Sequence, residues 1–181
     1  MRKYRLVERI SAEKLNDCLD ALAARINRDY EGQSVILIGV LKGAFIFMAD
    51  LARRLTMPVK MDFVRLASYG DGDKSCGSVR ITKDVELPLC GSHVIVVEDI
   101  VDTGITLKWF LDHLKSHCPE SVRICALIDK KERRQVELPI DYVGMTVDAG
   151  FIVGYGLDFS ENHRHLPMIC EVVFEEDGFT D

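Results

Sequence analysis

No C-x-x-C pair, no long apolar run and no basic excess occur in this chain, and each absence narrows what it is. The six cysteines, Cys18, Cys76, Cys90, Cys118, Cys125 and Cys170, lie scattered over 181 residues. A chain of that length buries enough core to fold without staples, so a disulfide framework is not needed and reduced thiols are expected, as in the cytosol. No run approaches the roughly 18 apolar residues of a membrane span. The stretch "MRKYRLVERISAEK" is basic but lacks the apolar core of a secretion signal, so a cytoplasmic protein is expected. With 23 basic residues against 29 acidic ones the net charge is -6, which argues against a general nucleic-acid or anionic-membrane surface. An acidic protein still binds a polyanion through a local pocket, or with a divalent cation between them. No repeat, low-complexity segment or linker divides the sequence, so one domain over residues 1–181 is expected.

What is present is an alternation of apolar strands and amphipathic helices. Ser11 precedes Leu15, Leu19, Leu22 and Ile26 at helical spacing. "SVILIGV", 34–40, is a short β-rich run, followed by "LKG" and a second helical pattern through Leu55. "VKMDFVRLA", 59–67, alternates as a strand does, and "SYGDGDKSCGS", 68–78, reads as a mobile loop. "SHVIVVEDIV", "TLKWFLDHLKSH" and "SVRICALID" repeat the order strand, helix, strand. "IDYVGMTV", "FIVGYGLDF" and "MICEVVFEE" close the chain as shorter β-like pieces. Near-continuous apolar strands separated by helices predict an α/β fold, a mostly parallel twisted sheet flanked by helices. Ligands of such sheets bind beyond the carboxyl ends of the strands, which points to "LKG", "EDIVDTG" and "DKKERR".

The segment "VIVVEDIVDTGITL", 94–107, sets Glu98, Asp99 and Asp102 at the end of its most apolar strand. Crowded carboxylates repel, and burying each costs on the order of several kcal/mol without compensation. Residues 102–106, Asp-Thr-Gly-Ile-Thr, then open a helix whose free N–H groups and dipole make an anion cradle. A ligand that satisfies both features carries a phosphate, a polyol or metal-bound centre, and a reacting group near Asp102.

These residues resemble the phosphoribosyl-diphosphate signature of the type I phosphoribosyltransferases, and the two leading acids with D-T-G resemble the hypoxanthine-guanine branch in particular. "LKGAFIFMADL", "ASYGDG", "EDIVDTGITL", "LIDKKERR" and "FIVGYGLDF" occur in that family's order and approximate spacing. The resemblance implies a core of about residues 30–150, with a small hood formed by the N-terminal segment and residues 151–181. It implies as substrates a 6-oxopurine, hypoxanthine or guanine, and phosphoribosyl diphosphate with Mg2+, with homodimers or homotetramers as the assembly.

By the same resemblance Asp102 would be the catalytic group beside the imidazole nitrogen of the purine. Residues 102–106, that is Asp102, Thr103, Gly104, Ile105 and Thr106, would hold the 5′-phosphate. Glu98 and Asp99 would bind the ribose hydroxyls, directly or through magnesium. Lys42, Gly43 and Arg164 would bind diphosphate, the peptide before Lys42 being one that can be cis. Lys130 would donate to the 6-oxo oxygen, Phe151 would stack on the base and Ile152 would offer backbone groups to its far edge. Asp158 would stand beside the second magnesium and the diphosphate, within the base pocket's segment. Ser68 and Tyr69 would begin a lid that shields the site from water, and Arg134 would help order it.

Preference among hypoxanthine, guanine and xanthine stays open, because the far edge of the base is read partly by backbone. An RNA-binding regulatory relative of this fold is disfavoured by the acidic balance. His113 and His117 stand four apart on a predicted helix as a candidate metal pair without an evident third ligand, and are expected on a solvated face. His163 and His165 are read the same way, and Trp109 as helix surface or subunit contact.

Overall fold

The computed structural model describes residues 3–69 and 78–175. Its large sheet contains β2 (Val35–Leu41), β3 (Val59–Tyr69), β4 (Ser78–Lys83), β5 (His93–Val101), β6 (Ser121–Lys130) and β7 (Tyr142–Val147). The strand order is β4-β3-β2-β5-β6-β7, parallel throughout except for β4, which pairs antiparallel at the edge. A second, antiparallel sheet has the order β1-β9-β8, from β1 (Tyr4–Ile10), β8 (Ile152–Val153) and β9 (Ile169–Phe174).

Helices cover both faces of the large sheet, which is why its central strands carry continuous apolar runs rather than alternate apolar positions. On one face α1 (Ala12–Asp29) sends down Leu15, Leu19, Leu22 and Ile26, and α2 (Phe45–Ala52) sends Phe47, Met48 and Leu51, against Leu37, Ile95, Val97 and Leu127. On the other, α3 (Ile105–Lys115) sets Leu107, Phe110 and Leu114 against Ile36, Ile38, Val94, Val96 and Ile124. Ser11 is the N-cap of α1, its hydroxyl accepting from the Lys14 N–H at 3.3 Å.

Four details differ from expectation. α2 stops at Ala52 rather than Leu55: the chain tightens to i→i+3 bonds, from the Arg54 N–H to the Leu51 carbonyl and the Leu55 N–H to the Ala52 carbonyl, and beyond them Asn27 bonds the Arg54 carbonyl and the Thr56 N–H. Ser68 and Tyr69 do not begin a loop but end β3, paired with Val79 and Ser78 of β4. The alternating segment Ser78–Lys83 supplies the partner that extends the strand; residues 70–77, where the rest of the lid is expected, lie outside the described residues. β1 was unmarked by alternation, since its burial is irregular and it becomes a strand only by pairing with β9. The "FIVGYGLDF" run keeps only two strand residues and otherwise turns repeatedly, with positive φ at Gly154, Tyr155 and Gly156.

Among the described residues no helix is long and apolar enough to cross a membrane. Cys18, Cys90, Cys118, Cys125 and Cys170 are free thiols; Cys76 lies outside the described residues.

Candidate active site

β2 and β5 are parallel neighbours at the sheet centre, so the turns after them open side by side. Between these turns lies a cleft of about 380 Å³, lined by Lys42, Gly43, Glu98, Asp99, Asp102, Thr103, Gly104, Thr106, Asp158 and Arg164. The sequence separates these residues by up to 122 positions, 42 to 164; the sheet unites the turns after β2 and β5, and the segment after β8 packs Asp158 and Arg164 onto them.

The acid pair is the floor of the cleft. Asp99 is buried and Glu98 half-buried. Burial, then the Asp99 charge and a hydrogen bond with Asp99, push the Glu98 carboxyl well above the usual carboxylate range. Burial also raises Asp99, against the opposing pull of Glu98, the Ile100 N–H and the Arg164 charge. Among the described residues no lysine or arginine forms an ion pair with either acid. Two adjacent carboxylates without a protein cation fit a hard divalent cation.

Glycine lets the neighbouring turns close on this pair. A Cβ on Gly43 would overlap the Asp99 carboxylate, and one on Gly156 would overlap the carbonyl of Gly43. Gly156 also has φ 105, a backbone that L side chains rarely adopt. The turn of residues 154–156 therefore rests on the "LKG" turn, which rests on Asp99. Tyr155, between the two glycines, anchors this stack by donating from its hydroxyl to Asp50 of α2 at 2.5 Å. The Leu41–Lys42 peptide is cis.

The cradle follows from how α3 begins. Gly104 is its N-cap with φ 80, and the first-turn N–H groups have no acceptor within the helix. Thr103 and Thr106 face the cleft, whereas Ile105 is outside its lining and is exposed, so only its backbone is placed to contribute. Arg134 fixes the loop from behind. Its Nε donates to the Asp102 carbonyl oxygen at 2.8 Å, its Nη2 to the Val101 carbonyl at 3.0 Å, and Nη2 also pairs with the buried Asp129 carboxylate. The Asp102 side chain stays apart from this network: Oδ1 is buried without a hydrogen-bond partner, and Oδ2 lies 3.5 Å from Arg133 Nη1.

On the opposite wall Arg164 is more constrained than a simple diphosphate contact suggests. It donates to the Gly156 carbonyl at 2.7 Å and pairs with Asp158 at 2.7 Å, while its Nε is buried without a partner. Lys42 pairs with Glu161 at 2.8 Å, and Glu161 approaches Arg164 at 3.5 Å. Glu161 had no sequence signal: it sits in a polar turn, and only the fold brings it to Lys42.

Lys130, Phe151 and Ile152 lie beside the cleft rather than in its lining. Lys130 Nζ donates to the Gly150 carbonyl at 3.0 Å and stands 3.6 Å from Glu132. Phe151 is 48% exposed, the largest exposure among the described large apolar side chains, with its ring edge-on to Phe159 at 5.4 Å. Ile152 is buried in β8. His163, expected in solvent, instead bonds the Tyr4 hydroxyl at 2.8 Å.

Residues 8–160 match the family model of the phosphoribosyl transferase domain. The chain belongs to that family. This phosphoribosyltransferase is 40% identical over 179 residues to the hypoxanthine phosphoribosyltransferase of Haemophilus influenzae, covering 97% of this chain and 100% of that one. It is 42% identical over 160 residues to the hypoxanthine-guanine phosphoribosyltransferase of Streptococcus pneumoniae, covering 88% and 89% of the two chains. A solved hypoxanthine-guanine phosphoribosyltransferase from Bacillus anthracis superposes on it with TM-score 0.88 at 41% identity, covering 94% of this chain and 99% of that one. The phosphoribosyltransferase fold thus accounts for both sheets.

Proposed function

We propose that this chain is a purine-salvage enzyme that transfers the phosphoribosyl group of phosphoribosyl diphosphate to hypoxanthine or guanine and releases diphosphate. The observation that carries the proposal is the Asp102 carboxylate, with one buried oxygen free of protein partners at the junction of acid pair and helix cradle. The relatives named for hypoxanthine and guanine support the choice of base.

In this proposal the N–H groups of residues 103–106 and the hydroxyls of Thr103 and Thr106 hold the 5′-phosphate. Glu98 and Asp99 bind the ribose hydroxyls and, with Asp158, hold magnesium. Magnesium, when bound, supplies charge neutralisation to the departing diphosphate. Lys42, the Gly43 backbone and Arg164 face the same diphosphate. As the ribosyl carbon loses its leaving group it becomes electron-poor, and the acids favour that state over the neutral sugar. Asp102 takes the proton from the purine's imidazole nitrogen as the new bond forms.

The base is chosen outside the phosphate cleft. Lys130 donates to the 6-oxo oxygen, and adenine, with a 6-amino donor there, would set donor against donor and leave that N–H of the ammonium without an acceptor. The exposed Phe151 ring stacks on the purine and the Ile152 backbone meets its far edge. The small sheet serves as the hood, and the segment after Ser68 and Tyr69 closes over the site. The same proposal has the enzyme work in the cytoplasm as a homodimer or homotetramer.

Steady-state kcat/KM with hypoxanthine, guanine, xanthine and adenine tests it. Hypoxanthine and guanine are expected to lead, with adenine at least about 10⁴-fold lower. A preference for adenine, or salt-sensitive RNA binding without turnover, would overturn the proposal.

A further inference from the structure

His113 lies in the last turn of α3 and His117 just beyond its C-cap, at the end of the helix away from the phosphate cradle, and the fold brings a carboxylate to them. Asp84, in the connection from β4 to β5, places Oδ2 3.3 Å from His113 Nε2. His117 Nε2 lies 3.4 Å from His113 Nε2, and the ligand atoms of all three residues are within 4.8 Å of one another. We propose that Asp84, His113 and His117 form a second metal site, for a zinc-class first-row divalent ion, separate from the magnesium of the active site.

The spacing suits such an ion. Zinc binds imidazole nitrogen and carboxylate oxygen at about 2.0–2.1 Å in tetrahedral geometry, so adjacent ligand atoms stand roughly 3.3–3.4 Å apart. The His113–His117 and His113–Asp84 separations are those of tetrahedron edges, and Asp84 and His117 stand within 4.8 Å of each other. Two imidazoles and one carboxylate select zinc, cobalt, nickel or copper over magnesium, which prefers an all-oxygen octahedral shell. Three protein ligands leave a fourth position for water.

The ligands are also held in place. Asp84 Oδ1 accepts from the Val85 N–H at 2.8 Å, which leaves Oδ2 to the histidines. The ammonium of Lys83, one residue earlier, is committed to Asp62, the Phe63 carbonyl and Glu86. The His113 ring is parallel to Trp109, with centroids 5.9 Å apart and planes 3° apart, and packs against Phe110 at 6.3 Å. His117 follows the C-cap Ser116 and is tied back by its N–H to the Leu114 carbonyl at 3.0 Å. An ion here would cross-link the C-terminal end of α3 to the β4–β5 connection. The opposite end of the same helix is the phosphate cradle, roughly 16 Å away for an 11-residue helix at 1.5 Å per residue.

Trp109 is the sole tryptophan and stacks on one of the ligands, so its fluorescence reports the site. The full-length protein, in excess Mg2+, is titrated with Zn2+ and, in parallel, with Co2+. Expected are saturable 1:1 binding at micromolar or lower metal, a rise in the thermal midpoint, and a four-coordinate Co2+ visible spectrum without a thiolate charge-transfer band. His113→Ala and His117→Ala should each weaken binding at least about 100-fold and remove the thermal shift; Asp84→Asn should weaken it about 10-fold. A Cys90→Ser/Cys118→Ser variant should bind as the parent does, which separates the site from the nearby exposed thiols. Three results would overturn the proposal: no saturable binding below millimolar metal, binding that survives in the His113→Ala/His117→Ala double variant, or binding lost with the two thiols. All are read without turnover and so are independent of the substrate assignment.

Discussion

Arg134 donates to the main-chain carbonyl of Asp102 at 2.8 Å and leaves that residue's carboxylate alone. The arginine thereby fixes the loop without neutralising the group the loop presents. Its fork reaches the carbonyls of Val101 and Asp102 and the carboxylate of Asp129 together, which a lysine ammonium cannot reproduce from one position. Arg134→Ala would leave Asp129, 6% exposed, as a buried charge short of its main partner. A loss of about 3 kcal/mol is expected, read as a fall in thermal midpoint of roughly 6–12 °C at this size. Arg134→Lys should recover part of the stability but less of the kcat, because the Asp102 loop stays loose.

Asp102 itself tests the proposed proton transfer. Asp102→Asn keeps the shape and removes the base. The expected result is a fall in kcat of on the order of 10²-fold or more with phosphoribosyl diphosphate affinity kept within a few-fold. Steady-state kinetics together with a direct binding titration separates the two quantities, and near-normal kcat would remove Asp102 from the chemistry.

Gly43 has no side chain because Asp99 occupies the space. Gly43→Ala must displace either the carboxylate or the turn, at an overpacking cost of roughly 1–3 kcal/mol. Because the displaced group is one proposed to bind ribose and magnesium, the KM for phosphoribosyl diphosphate should rise at least about 10-fold. A thermal melt alongside the kinetics distinguishes a shifted acid from a lost fold.

The sequence patterns reached far where the signal was local. Apolar runs within 35–41, 93–101 and 121–130 marked the three central strands, since burial on both faces leaves few polar positions except near their ends. The acid pair and D-T-G turn were legible for the same reason: they sit on one strand and its exit. What stayed hidden depends on contacts between distant segments. β1 is a strand only because β9 pairs with it, and Glu161 matters only because a turn delivers it to Lys42. Likewise the helical spacing of His113 and His117 was visible, but Asp84 joins them through the packing of a loop on α3.

Asp62 supplies the pH dependence. It is 7% exposed on β3, and burial works to raise its pKa. Three backbone N–H groups, from Leu87, Phe63 and Glu86, together with Lys83, outweigh burial and hold the carboxyl below its ordinary value. The folded state therefore prefers the ionised form. Its stabilisation is present above the unfolded carboxyl pKa of about 3.9 and is lost as pH falls through the lower folded value. Asp62→Asn turns one acceptor oxygen into an NH2 group; in one orientation that group would face the Glu86 and Leu87 N–H donors, now at 2.6 and 2.9 Å from Oδ2. A loss of about 2 kcal/mol is expected at pH 7. The gap between the two proteins should narrow steadily below about pH 4, as wild-type Asp62 takes up its proton. Chemical denaturation at a series of pH values measures that gap directly, and a gap that stays constant into acid would show that the ionised carboxylate is not what joins β3 to the segment leading into β5.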